Sequence, residues 1–268
     1  MRLFVFLMLF FSFSLPALSS QNLWLDVAED AKLRVIFSNV LQNNGVTMAA
    51  LEIEMPQTLN TYWRVPGETG IPLMIESSAS EGIGEIKIIW PMPRREILYG
   101  YVDYIYRGNF ILPLEIVING PSPKLDMQII LGVCSDICVP VKVDISQELT
   151  FEKSNDGAAN RIEKALANTP VPWQGEQSPI GSIVYHETTG QLWVEVLDRD
   201  LDISSLIATI GNEMTVFSVP QKSQIEGVYI LDKLGGGKID DWRGQYVSII
   251  FLSSLVPYEI NRLLEFSN

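Results

Sequence analysis

The chain has two cysteines, Cys134 and Cys138, within the stretch LGVCSDICVPV. Two thiols at this spacing support three kinds of chemistry: a permanent structural disulfide, a soft-metal site, or a working thiol–disulfide couple. In an extended strand, residues four apart lie about 13 Å apart, whereas a disulfide needs Cα atoms within about 7 Å of each other. A bond between the two cysteines therefore requires a turn between them, which Ser135 and Asp136 favour.

The three kinds of chemistry are not equally well supported by the residues. A disulfide that closes a ring of five residues stabilises a protein by only about 2 kcal/mol in the chain-entropy model, so a purely structural role is weakly favoured. A structural zinc site needs four ligands, and the single histidine, His186, lies far along the chain. Cu(I) could use two thiolates with Met92 or Met127, but scattered methionines usually fill cores. Redox exchange, a structural disulfide and copper handling all stay open, with redox exchange favoured.

Short strand-like segments surround the cysteines. They are rich in Ile, Val and Leu, they partly alternate, and turn residues such as Asn43-Asn44-Gly45 separate them. Seven or so strands of this kind predict an antiparallel β-sandwich, with the cysteine pair at a reversal between two strands. The segments are KLRVIFSNV, MAALEIEM, GEIKIIWP, FILPLEIVI, KLDMQIILGV and PVKVDISQELTF.

A polar connector follows, and its middle predicts one short helix over 158–168, capped by Asn155 or Asp156 and stopped at Thr169-Pro170. A second β-rich segment comes next, with a hairpin turn predicted at 187–190. The predicted organisation is a signal peptide at 1–20, a first domain at 21–152, a connector with a short helix at 153–179 and a second, sandwich-like β-rich domain at 180–268.

The first twenty residues have the pattern of a secretory signal: Arg2, an apolar run and small residues before the cleavage point. The apolar run is shorter than the roughly 20 residues that a membrane span needs. We therefore expect an exported protein that does not itself span a membrane. Its formal charge of −13, about −14 without Arg2, argues against binding nucleic acid. Export also places the cysteines where disulfides persist.

Four stretches, in their order along the chain, resemble the N-terminal periplasmic domain of the thiol:disulfide interchange protein DsbD. The resemblance is greater to stand-alone or copper-sensitivity-type proteins that carry this domain. The resemblance covers about residues 30–150 and extends more weakly beyond them. The stretches are TYWRVPGETGIP (61–72), IIWPMPRREILYGY (88–101), ILPLEIVI (111–118) and LGVCSDICVPV (131–141).

The resemblance implies an immunoglobulin-like sandwich with a redox-active cysteine pair. The pair would take electrons from a membrane-embedded thiol reductase and pass them to periplasmic thioredoxin-like or disulfide-isomerase-like proteins. Cys138 would attack, and Cys134 would resolve the mixed disulfide. A cap loop of Glu96, Ile97, Leu98 and Tyr99 would shield the pair. No cofactor and no metal is predicted.

Three departures from the family pattern qualify these expectations. The cysteines are closer in sequence than in DsbD, and the cap carries one acid, Glu96, where DsbD has two. The chain also has neither a multi-helix membrane domain nor a thioredoxin-like CxxC domain, so we expect a separate polypeptide to supply electrons. Asp136, inside the ring, is expected to raise the thiol pKa by like-charge repulsion. Protein-disulfide reductase-type exchange is the expected activity if the pair is active; the competing class is a non-catalytic periplasmic adaptor.

Overall fold

The structure is a computed structural model, and it describes residues 23–211 and 215–267. The predicted signal peptide lies outside the described residues. We refer to the sheets formed by residues 25–148 as the N-terminal half and to those formed by residues 171–267 as the C-terminal half. The domain boundaries given above stay predictions.

Eleven strands form the N-terminal half. They are β1 (Leu25–Ala28), β2 (Ala31–Leu41), β3 (Val46–Glu54), β4 (Asn60–Gly67), β5 (Met74–Glu76), β6 (Ile83–Ile88), β7 (Arg94–Leu98), β8 (Tyr101–Arg107), β9 (Phe110–Ile118), β10 (Lys124–Cys134) and β11 (Cys138–Glu148).

These strands form two antiparallel sheets that face each other. The first has the order β1-β2-β3-β9-β6, and the second has the order β11-β10-β4-β8-β7, with β5 paired to β10. Alternate residues of β2, β3 and β9 meet alternate residues of β10 in one apolar core, as in Leu33, Leu51 and Leu114 against Leu125 and Ile129. Period-two alternation places these side chains on the inner face of each sheet. The predicted sandwich is confirmed.

Helix α1 (Asp156–Leu166) lies outside the first sheet, where the sequence predicted a helix. The side chain of Asn155 caps it by accepting a hydrogen bond from the backbone N–H of Ala158 at 3.1 Å. Ala158 and Ile162 pack against Ile36 and Ala50 on the outer face of the sheet. The amphipathic helix therefore covers apolar residues of β2 and β3 that the sandwich core does not use.

The C-terminal half is also β-rich. Its elements are β12 (Val171–Pro172), β13 (Ile180–His186), β14 (Gln191–Val196), β15 (Leu201–Ile210), β16 (Val216–Phe217), β17 (Gln221–Lys222), β18 (Val228–Gly235), a 3-10 helix (Ile239–Trp242), β19 (Tyr246–Ser253), β20 (Val256–Leu263) and β21 (Glu265–Ser267).

Two sheets of the C-terminal half enclose a second core. One has the order β12-β20-β19-β15, and the other has the order β16-β18-β14-β13-β21, with β17 paired to β18. Buried side chains including Tyr185, Leu231, Trp242 and Phe251 fill the space between them. Two short pairings, β12 with β20 and β13 with β21, are parallel, which the sequence pattern did not predict. The predicted hairpin between β13 and β14 is confirmed.

A third apolar cluster joins the two halves. Trp63 and Tyr104 of the N-terminal half pack with Ile207, Val216 and Ile250 of the C-terminal half. No helix in residues 23–211 and 215–267 is long and apolar enough to cross a bilayer.

Candidate thiol–disulfide site

The two cysteines close a β-hairpin. Strand β10 ends at Cys134 and β11 begins at Cys138, and the two residues lie directly opposite each other with a Cα–Cα distance of 4.1 Å. They are joined by a disulfide bond across a loop of Ser135, Asp136 and Ile137. The turn that the spacing required is therefore present. It arises because the strand-forming runs on both sides meet at two turn-favouring residues.

The two sulfur-bearing residues differ in burial. Cys134 is 1% exposed, whereas Cys138 is only partly buried. Ile137 is 75% exposed beside Cys138, at the tip of the loop. A thiolate of another protein therefore reaches Cys138 more readily than Cys134. This asymmetry suits thiol–disulfide exchange, in which one sulfur is attacked and the other leaves.

Tyr62 and Ile105 contact the disulfide. They lie opposite each other in β4 and β8, and both are buried with Cys134 in a small cluster to which Cys138 packs. The Tyr62 hydroxyl donates a hydrogen bond to the Sγ of Cys138 at 3.1 Å, since a disulfide sulfur carries no proton. Burial raises the pKa of Tyr62 above its ordinary value, with smaller contributions from nearby carboxylates, so this hydroxyl stays a donor at neutral pH.

The segment after β4 holds the Tyr62 ring in place. A Cβ atom at Gly70 would lie 2.2 Å from the Cδ1 of Tyr62, so only glycine allows the backbone to approach the ring this closely. The segment is tied down by Asp103, whose carboxylate accepts hydrogen bonds from the Thr69 backbone N–H at 3.0 Å and from its hydroxyl at 2.5 Å. The backbone at Gly70 therefore packs against the Tyr62 ring and holds it in position.

The predicted cap residues lie in a strand and a turn rather than in a loop. Glu96, Ile97 and Leu98 belong to β7, and Tyr99 follows in the turn with a φ of +52°. Leu98 is 53% exposed and Tyr99 is 93% exposed. The disulfide's apolar contacts within its cluster come instead from Tyr62 and Ile105. Shielding of the pair by Leu98 and Tyr99 stays a prediction.

The two predicted acids occupy different surroundings. Asp136 is exposed in the loop, two residues from each cysteine. Glu96 forms an ion pair with Arg107, accepting from its Nε at 3.2 Å and from its Nη2 at 2.5 Å. Arg107 lies opposite Asn60, and Asn60 lies opposite Cys134. The structure therefore links Glu96 to the disulfide through neighbouring strands.

Tyr62 and Ile105 are the site residues that the sequence analysis did not single out. Tyr62 lies in TYWRVPGETGIP, which carries part of the family resemblance, but no local pattern marks this tyrosine as part of the site. Ile105 has no motif of its own, and only strand pairing places it beside Tyr62. Among residues 23–211 and 215–267, no three His, Cys, Asp or Glu side chains are grouped as metal ligands.

Part of the chain matches a known protein family. Residues 28–150 match the family model described as thiol:disulfide interchange protein DsbD, N-terminal. The predicted resemblance is confirmed over this segment of the chain. No curated protein matches the chain.

The likeness to a solved structure extends further along the chain. The crystal structure of the N-terminal periplasmic domain of ScsB from Proteus mirabilis superposes with a TM-score of 0.68 at 19% sequence identity. The match covers 90% of this chain and 97% of that one. The fold of ScsB's domain therefore resembles both halves described here, including the part beyond the family model.

Proposed function

We propose that this protein is a periplasmic thiol–disulfide exchange protein. Through Cys134 and Cys138, it relays electrons from a separate membrane-embedded reductase to periplasmic disulfide partners of the thioredoxin-like or disulfide-isomerase-like kind. The activity is of the protein-disulfide reductase type. The family match supports the chemistry, and the likeness to the periplasmic domain of ScsB supports the compartment.

One observation carries the proposal: the pair is bonded at the tip of a hairpin, with Cys134 buried and Cys138 partly accessible. A disulfide of this small ring adds little stability in the chain-entropy model. Two apolar cores elsewhere in the chain stabilise the fold. The accessible position of Cys138 is instead suited to forming a bond with a partner.

The exchange proceeds in two balanced steps. In the reduced protein, the Cys138 thiolate attacks a partner disulfide, forming a mixed disulfide and releasing one partner thiolate, which takes up a proton. The Cys134 thiolate then attacks the Sγ of Cys138, which re-forms the internal disulfide and releases the second partner thiolate. The partner gains two electrons and two protons, and this protein loses them. The membrane reductase restores the dithiol by the same steps in reverse.

The test traps the mixed disulfide. A Cys134→Ala variant keeps the attacking thiol and lacks the resolving one, so it should accumulate a covalent complex with an oxidised thioredoxin-like partner. The matched Cys138→Ala variant should form none, although both variants stay folded. Equal trapping by both variants, or trapping by neither, would refute the proposal.

A second measurement separates a working couple from a structural bond. The reduction potential of the pair, measured against glutathione, is expected above about −300 mV, since structural disulfides of exported proteins typically lie below that value. A lower potential would support the alternative, an adaptor with a permanent disulfide.

A further inference from the structure

Strand β7 makes different contacts on its two faces. On one face, the Arg95 guanidinium reaches into the C-terminal half, where its Nη1 donates to the carbonyl of Ser204 at 2.7 Å and its Nη2 donates to the carbonyl of Leu206. Both acceptors lie in β15 where its pairing with β19 shifts register, between Asp202 and Ile207. The irregular backbone there leaves carbonyl groups free to accept from a side chain.

On the other face, the next residue points toward the disulfide side of the sheet. Successive side chains of a strand alternate between faces, and Glu96 accordingly pairs with Arg107 instead of with the C-terminal half. Arg107 and Tyr62 belong to the two strands that contact the cysteine hairpin. Arg95 and Glu96 thus connect the C-terminal half with the surroundings of the disulfide through a single peptide unit.

Strand β8 repeats this division. Its buried residue Tyr104 packs against the C-terminal half, and its hydroxyl donates to the carbonyl of Phe217 at 3.3 Å. The next residue, Ile105, packs against Cys134 on the opposite face. The Arg95 guanidinium lies over the Tyr104 ring at 5.8 Å, which joins the two contacts. Strands β7 and β8 of the sheet that carries the disulfide are therefore both held by the C-terminal half on the face away from the cysteines.

We propose that the C-terminal half holds strands β7 and β8 in place behind the disulfide, a role we call the brace. Arg95 is a positioning residue that joins the C-terminal half to β7. The inference rests on the proposed function and gives the second half a role within it. Fixing β7 and β8 from one face fixes Glu96 and Ile105 on the other. The disulfide is then reduced in a docked partner complex and resists small reductants.

The test compares three variants of the full chain. Arg95→Ala removes the contact, Arg95→Lys restores a charged donor in part, and Arg199→Ala is the control, because Arg199 is an exposed arginine in the turn before β15. Hydrogen exchange reports on the amides of residues 95–105. The rate of disulfide reduction by a water-soluble phosphine reports on the site.

In Arg95→Ala we expect hydrogen exchange of the backbone amides in β7 and β8 to be about tenfold faster, equivalent to about 1.4 kcal/mol. We also expect reduction by the phosphine to quicken several-fold. Arg95→Lys should lie between this variant and the unchanged protein, and Arg199→Ala should match the unchanged protein. A lower melting temperature with an unchanged reduction rate would show that Arg95 only joins the halves, and would overturn the proposal.

These outcomes are independent of the partner experiment. If Cys134→Ala traps no partner while Arg95→Ala still alters hydrogen exchange and disulfide reduction, the brace is supported and the proposed electron relay is refuted. If the trap succeeds and Arg95→Ala changes neither readout, the relay stands and the brace fails.

Discussion

Replacing Tyr62 with phenylalanine removes one atom from the site, the hydroxyl oxygen that lies 3.1 Å from the Sγ of Cys138. In the reduced protein, a donor at this position hydrogen-bonds to the Cys138 thiolate and favours the charged form. Because burial raises the pKa of Tyr62, the phenol stays protonated while the thiol titrates. The Tyr62→Phe variant is therefore expected to have a higher Cys138 pKa than the unchanged protein.

The size of the shift follows from the strength of the contact. A hydrogen bond to a charged group contributes about 1.5–3 kcal/mol, and one pKa unit corresponds to about 1.36 kcal/mol. With the hydroxyl partly replaced by water in the variant, we expect the pKa of Cys138 to rise by about one unit. At neutral pH, a thiol that titrates above 7 would then react about tenfold more slowly with an alkylating agent, because its thiolate fraction falls tenfold.

The assay measures the alkylation rate of Cys138 against pH in a Cys134→Ala background, so that one thiol titrates. Tyr99→Phe is the matched control, since that tyrosine is almost fully exposed at the turn after β7. It should leave the profile unchanged. A Cys138 pKa that stays the same or falls in Tyr62→Phe would refute the assignment of the hydroxyl as a donor to the thiolate.

Three further predictions concern shielding and stability. Ile105→Ala should speed reduction of the disulfide by small thiols, because Ile105 packs against Cys134; Leu98→Ala should also speed it if the predicted cap shields the pair, and an unchanged rate in either variant would contradict the corresponding shielding role. Gly70→Ala should also speed reduction, because its new Cβ displaces the tyrosine ring behind the disulfide, while Gly235→Ala, with open space around it, should have no effect in the same assay. Asn155→Ala should lower the free energy of unfolding by about 1 kcal/mol through loss of the helix cap, measured by denaturant titration; an unchanged value would mean that water replaces the cap.

The sequence by itself determined six of the eleven strands of the N-terminal half, the helix and the turn at the cysteines, but not β4 and β8, which carry Tyr62 and Ile105. Alternating apolar residues in segments such as FILPLEIVI specify a strand with one buried face, and the observed β9 covers the same residues. The polar residues before the apolar face of α1 predicted a cap at Asn155 or Asp156, and in the structure Asn155 is the cap. Such signals are local, since they depend only on neighbours within one or two turns of the chain. The ordered motifs also predicted the resemblance to DsbD N-terminal domains, which the family match over residues 28–150 confirms.

Only the tertiary structure decided what surrounds the disulfide. Tyr62 and Ile105 are distant in sequence, and strand pairing alone brings them together beneath Cys134 and Cys138. The same holds for Arg95, whose acceptors lie more than a hundred residues further along the chain. No local pattern encodes such contacts, because they depend on sheet order and register between strands that the sequence does not place next to one another. The spacing of the cysteines predicted the chemistry, and contacts between residues far apart in sequence form the surroundings of the disulfide.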